Sequence, residues 1–172
     1  ELFGVEFANV QPHSGTTANV TALAALAQPG DPILGMALNA GGHLSHGFKV
    51  SHTGQFYAAK QYGVQLDSGL IDLDQVRQLA REHRPKVLIA GASSYPRSLP
   101  YAELRAIANE VGAFLLADIA HPAGLIAAKV MPSPVGIAAP AVTPNHVSPT
   151  AANALPATSM SIPARIAILF MS

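Results

Sequence analysis

Between Pro32 and Asp118, short and wholly apolar runs alternate with stretches of helical periodicity, and this pattern constrains the fold more than any other feature of the chain. The runs are Pro32 to Leu38 (PILGMAL), Val87 to Ala90 and Ala113 to Ala117, with a weaker one from Phe56 to Tyr62. None alternates apolar with polar, so each reads as a strand covered on both faces. Two amphipathic helices separate them. Leu73, Val76, Leu79 and Ala80 share a face between Asp72 and His83, with Asp72 as N-cap. Leu104, Ile107, Ala108 and Val111 do the same between Tyr101 and Val111. A further helix, Thr16 to Ala27, is rich in Ala and Leu and stops at Gln28-Pro29-Gly30-Asp31. Strands of this type joined by helices imply an α/β fold, a mainly parallel sheet flanked by helices. Ligands of such sheets bind beyond the carboxyl ends of the strands, where Asp118 and the loop after Ala90 fall.

The chain has 172 residues, enough for one domain with a substantial core. Zero formal net charge leaves no electrostatic footprint for nucleic acid or an anionic membrane. Without cysteine there is neither a disulfide framework nor a zinc-thiolate site. The first residues lack the basic start and apolar core of a signal peptide, and no apolar stretch suits a membrane span, so the default expectation is a cytoplasmic protein. Charge stops abruptly: every Asp, Glu, Lys and Arg except Arg165 lies at or before Lys129. Pro132, Pro134, Pro140, Pro144, Pro149, Pro156 and Pro163 then recur too closely for a long helix or an inner strand. Residues 1–138 are expected to form an organised α/β segment and 139–172 a divergent, poorly ordered tail.

Three polar signatures stand out from the apolar background. Ser14-Gly15-Thr16-Thr17 opens a helix, where free N–H groups and the helix dipole favour an anion such as phosphate; the plain alternative is an ordinary Ser/Thr N-cap. Gly41-Gly42-His43-Leu44-Ser45-His46-Gly47 can bring an imidazole over a flat ring through close backbone approach, or is a glycine-rich turn carrying surface histidines. His43, His46 and His52 also suggest a metal site, but no carboxylate or thiol is near them in sequence, so no metal is expected. Asp118-Ile119-Ala120-His121 ends a buried strand in a carboxylate, which needs a partner. A protonated pyridine nitrogen would serve, with His121 within reach of a ring hydroxyl; an Asp capping the following turn, or binding Mg²⁺, would look the same. Ser93 and Ser94 lie at the same rim.

Taken together these phrases carry a resemblance. From Leu2 to about Ala138, FANVQPHSG, PGDPILGM, GGHLSHG, IDLDQV, HRPKVLIAGASSYPR and EVGAFLLADIAHPAGLIAAKVMPSPV resemble serine hydroxymethyltransferase, a pyridoxal-phosphate enzyme of the aspartate-aminotransferase fold (fold type I), whose large domain this segment would partly form. The resemblance implies conversion of serine and tetrahydrofolate to glycine and methylene-tetrahydrofolate, and a homodimer. It implies that Ser14, Gly15 and Thr16 hold the cofactor phosphate and that His43 stacks on the pyridine ring. It places Ser93 near the ring hydroxyl, Asp118 on the ring nitrogen and His121 on the hydroxyl side, and puts Leu38, Gly42, His43 and Leu44 along the folate pocket.

Departures from the family pattern are equally specific. The family's Thr-rich run ends in His-Lys, and that lysine forms the resting Schiff base. Here the run reads Val142-Thr143-Pro144-Asn145-His146-Val147, so His146 matches the histidine and Val147 stands at the lysine. No lysine follows Lys129, and Ala40 replaces a loop histidine. The N-terminal segment with its substrate-side glutamate and tyrosine is expected to be missing, as is the C-terminal domain with its carboxylate-gripping arginine. Three readings follow. One is a fragment of a genuine family member, inactive alone, with a divergent end. The second is a pseudoenzyme that binds the cofactor or a partner subunit without covalent chemistry. The third, another enzyme of the same fold, is disfavoured by the GGHLSHG phrase. The fragment reading is favoured, because a functional pseudoenzyme should keep a foldable end.

Overall fold

The computed structural model describes residues 2–5 and 8–137; the tail expected from 139, with His146 and Val147, lies outside the described residues. Four parallel strands form one sheet in the order β2-β1-β3-β4. They are β1 (Pro32–Met36), β2 (Ala58–Tyr62), β3 (Val87–Gly91) and β4 (Phe114–Asp118). The main helices are α1 (Gly15–Leu26), α2 (His52–Phe56), α3 (Leu73–His83), α4 (Tyr101–Val111) and α5 (Ala123–Ala127). The α/β expectation therefore holds, and the helix over Tyr101–Val111 has the bounds expected of it. Most other boundaries shift by one residue and two move by two. β1 ends at Met36 because Leu38 begins a single 3₁₀ turn. Phe56 is not in a strand: Ser51 accepts from Gly54 N and caps α2, which runs to Phe56 before β2 begins.

Strand alternation sorts the core into two layers. Leu34, Met36, Leu88, Ala90 and Leu115 pack on Val76 and Ala80 of α3 and Leu104, Ile107 and Ala108 of α4. Ile33, Val87, Ile89 and Leu116 point the other way, onto Ala22, Leu23 and Ala27 of α1. Two glycines share this second face, Gly35 beside Ile33 and Gly91 beside Ile89, and so does Asp118 beside Leu116.

From β1 the chain moves outward to β2, and from β3 it moves outward in the opposite direction to β4. The order reverses between β1 and β3, so their carboxyl ends flank the crevice where such sheets bind ligands. The two loops leaving this point are tied together. Ser93 N and Ser94 N both donate to Gly41 O, at 2.8 and 3.1 Å. Gly41 has φ +107°, and a Cβ there would stand 2.9 Å from Tyr95 N, so both the turn and the close approach require glycine.

Candidate functional site

Four segments meet at this rim: the loop after β1, the loop after β3, the turn after β4 and the N-terminus of α1. The last is located by Gly15, whose missing Cβ would lie 3.9 Å from Ala120 Cβ. Asp118 is the centre. It is 8% exposed, its Oδ2 accepts from His46 Nε2 and Asn19 Nδ2, both at 2.8 Å, and its Oδ1 accepts from Ala120 N at 3.0 Å. Burial alone would raise its pKa. The hydrogen bond and charge of His46 and the bonds from Asn19 and Ala120 outweigh that and hold it down at about 2, so the carboxylate is ionised at neutral pH.

His46 is fully buried, which sets aside for this residue the alternative of a glycine-rich turn carrying surface histidines. The missing side chains of Gly35 and Gly91 make room for it. A Cβ on Gly35 would lie 2.5 Å from His46 O, and one on Gly91 would lie 2.6 Å from Asp118 Cβ and 3.0 Å from His46 Cε1. Its tautomer follows from its neighbours. Nδ1 accepts from His43 N at 3.3 Å, so the ring proton is on Nε2, facing Asp118. Asp118 is thus ionised, buried and held by a histidine, an amide and one backbone N–H.

His43 is half-buried, its ring edge-on to that of His46 with centroids 5.7 Å apart. Its Nδ1 accepts from Ser45 N at 3.1 Å and lies 2.7 Å from Ser45 Oγ. Burial, then His46, lowers its pKa; Asp118 opposes this and His121 adds to it, which places all four groups in one electrostatic neighbourhood.

At the N-terminus of α1, Ser14 Oγ accepts from Thr17 N at 3.2 Å and contacts Thr17 Oγ1 at 3.0 Å. Ser14 O takes Ala18 N. The ordinary cap is therefore present, and the amides of Gly15 and Thr16 are the ones a bound anion can use. Ser93 lines a cleft of about 310 Å³ together with Tyr101, Asp118, His121, Arg97 and Met131. Its Oγ is buried without a partner among the described residues. Tyr101, pushed up to about 12 by burial and by Asp118, keeps its phenolic proton there.

The structure thus gathers Ser93, Asp118 and His121 around one cleft, with His43 coupled to Asp118 and Ser14, Gly15 and Thr16 beside the turn that follows it. The cleft itself is not lined by His43 or by the start of α1. Gly42 is buried against Met36 O, while Leu38 and Leu44 are exposed on either side of it. Two residues escaped the sequence reading. Asn19 was legible in principle: it is a polar side chain on the stripe Ala18, Ala22, Leu23 that α1 buries. His46 was visible only as a histidine of the loop, because the hollow that accepts it is made by glycines on two separate strands.

Comparison with known proteins gives the family. The serine hydroxymethyltransferase family model matches residues 1–154, past the end of the expected organised segment. Among curated relatives, a serine hydroxymethyltransferase of Clavibacter sepedonicus is 62% identical over 132 residues, 77% of this chain and 31% of the relative. That of Rhizorhabdus wittichii is 56% identical over 133 residues, 77% of this chain and 30% of the relative. The chain therefore spans about a third of the length of these relatives. With a family model covering most of its residues and relatives more than half identical over 77% of it, the chain belongs to the serine hydroxymethyltransferase family.

Proposed function

We propose that this chain forms the cofactor-facing rim of a pyridoxal-phosphate site for the serine–glycine hydroxymethyl transfer, and that by itself it binds the cofactor reversibly without completing the reaction. The observation that carries this reading is Asp118: an ionised carboxylate, buried at the end of a strand, lining a cleft. A buried carboxylate kept ionised at the wall of a cleft favours a positively charged ligand group. The rest of the rim fits the same ligand. Ser93 Oγ, without a partner among the described residues, suits a ring hydroxyl, and the Gly15 and Thr16 amides in the first turn of α1 suit a phosphate.

When bound, pyridoxal phosphate supplies a protonated pyridine that draws electrons from the carbon next to the substrate nitrogen. The chain's own residues would act around it. Asp118 would hold the proton on the ring nitrogen. His43 would lie over the ring face, Ser93 and His121 would orient the hydroxyl edge, and Ser14 would keep the α1 amides aimed at the phosphate. Leu38, Gly42, His43 and Leu44 would border tetrahydrofolate on the β1 side. A homodimer and a cytoplasmic setting belong to the same reading; no helix among the described residues is long and apolar enough to cross a membrane.

Reversible binding follows from Val147, which stands where the family's covalent lysine falls and cannot bond the cofactor. His146, the catalytic position beside it, would then adjoin no reactive amine. Lys49, Lys60, Lys86 and Lys129 are poor substitutes, since the reaction tolerates little misplacement. The same substitution supports the second reading, a non-catalytic binder of cofactor or of a partner subunit. Titration of the purified chain with pyridoxal phosphate, followed by borohydride reduction and peptide mapping, tests both. Saturable binding that Asp118→Ala abolishes, with no single reduced lysine, is the expected result. Folate-dependent cleavage of serine, or one lysine reduced stoichiometrically, would overturn the inactive reading. Binding unaffected by Asp118→Ala would overturn the site.

A further inference from the structure

Asn19 is buried in the second turn of α1, and its amide nitrogen reaches two acceptors at once: Ser45 Oγ and Asp118 Oδ2, each at 2.8 Å. The orientation of the amide is fixed by chemistry. Turned the other way, its carbonyl oxygen would face the carboxylate, acceptor against acceptor. Ser45 is also buried, and its Oγ stands between Asn19 Nδ2 and His43 Nδ1. A hydroxyl has one proton. Since Asn19 donates to Ser45 Oγ, that proton is available for His43. His43 Nδ1 already accepts from Ser45 N, so it carries a lone pair and can receive the hydroxyl as well. Hydrogen bonds thus run from His43 through Ser45 and Asn19 to Asp118 and on to His46, and every donor in that line has a defined direction.

We propose that Asn19 is a positioning residue for the rim histidine: by donating to Ser45 Oγ it turns the Ser45 hydroxyl proton towards His43 Nδ1, and so reinforces the Ser45 N–H in keeping that nitrogen unprotonated. The same side chain fixes the carboxylate, so one amide sets the orientation of two groups belonging to different loops. What the locked ring does for a stacked pyridine rests on the pyridoxal-phosphate reading; the tautomer is a property of the chain alone. Its mechanism is simple. Without Asn19 the Ser45 hydroxyl is free to turn and accept from a protonated His43, and the charged ring becomes easier to form. The groups facing His43 are His46 on its own loop, and Asp118 and His121 from the end of β4 and the turn beyond it.

The experiment is a histidine-ring ¹H–¹⁵N titration of the full chain without ligand, comparing the native protein with Asn19→Leu, Ser45→Ala and the double variant. The native chain should show His43 as the Nε2–H tautomer. Asn19→Leu and Ser45→Ala should each raise the His43 midpoint by about half a unit or more, while the Ser45 N–H keeps the neutral ring in that tautomer. In the Ser45→Ala background Asn19→Leu should add nothing, because the hydroxyl through which it acts is gone. Asn19→Ala is the smaller second variant if the leucine disturbs the fold. It cannot donate to Ser45, and it too should raise the midpoint in the native background. An unchanged midpoint in Asn19→Leu or Asn19→Ala, or an equal shift with and without Ser45, overturns the proposal. Because no cofactor is present, that outcome is separate from failure of the chain to bind pyridoxal phosphate, which is read by the binding titration.

Discussion

Glu110 and Asp118 are eight residues apart in the sequence, and each carboxylate takes hydrogen bonds from two side chains of other elements. Their surroundings have nothing else in common. Glu110 is on the surface of α4, bridging Arg77 Nε at 3.0 Å and Arg81 Nη2 at 2.9 Å on α3. Its partners carry formal charge, and water competes for every bond. Asp118 is buried, and its partners are an Nε2-protonated histidine, an amide and a backbone N–H. The first cluster satisfies its charge where the charge costs little. The second keeps an ionised group in a place where ionisation is costly, and stabilises it through His46, Asn19 and a backbone N–H, with no arginine on it. That difference marks Asp118 as a candidate site and Glu110 as a clasp between two helices.

The comparison breaks most visibly if His46 is removed. His46→Leu takes away the principal donor to a buried charge and leaves an apolar group in the hollow between Gly35 and Gly91. We expect a loss of about 3–5 kcal/mol in urea unfolding, in line with breaking one half of a buried pair. A loss below that seen for an exposed ion pair would mean that water reaches Asp118 freely. Gly91→Ala attacks the same hollow by volume. Its Cβ would meet Asp118 Cβ at 2.6 Å, a contact with rigid neighbours on an adjacent strand. About 2–3 kcal/mol of destabilisation is expected, together with displacement of the His46 ring resonances.

Acid should separate the two carboxylates further. The folded pKa of Asp118 is depressed, to about 2 from an ordinary 3.8. Such a group contributes stability that is complete above its unfolded pKa and is lost as pH falls through the folded one. The window therefore lies between about pH 4 and pH 2, and the linked loss is about 2 kcal/mol. Unfolding free energies measured across that window should fall in the native chain and lose most of this slope in Asp118→Asn. If both proteins show the same slope, the hydrogen bonds from His46 and Asn19 do not hold the carboxylate ionised.

These outcomes also bear on what the sequence could reveal. β1, β3 and β4 announced themselves as uninterrupted apolar runs, and α3 and α4 by their periodicity, because burial on both faces or on one stripe leaves a direct trace in composition; β2, an edge strand with Lys60 and Gln61 and alternating exposure, left a weaker one. The rim position of Asp118 followed from the rule that such sheets bind ligands at their carboxyl ends. Phe56 went wrong because a single helical turn capped by Ser51 is too short to show a period. The His46 pocket was illegible for a different reason. Gly35 and Gly91 look like weak points in two strands, and only their alignment through the β1–β3–β4 register makes them one hollow. Contacts that need three elements to meet leave no local signal. Asn19 is the intermediate case, a polar residue where the helix pattern calls for an apolar one.

The smallest effect is expected at Glu110, and it is informative because it is small. Its pKa is lowered by the hydrogen bonds from Arg77 and Arg81, so on linkage grounds it too should stabilise the fold at neutral pH. Yet the two arginines and the glutamate face water, and ordering three long side chains costs entropy that offsets the attraction. Glu110→Gln should therefore move the thermal midpoint less than any of the changes above. The residual shift should shrink further in about 1 M salt, where the Debye length is about 3 Å. The packing of α3 on α4 through Val76, Leu104 and Ile107 would remain, since those side chains hold the layer whether or not the clasp is closed. A shift as large as that of His46→Leu, or one that survives high salt, would mean that the clasp is shielded from solvent and that the two carboxylates differ in degree only.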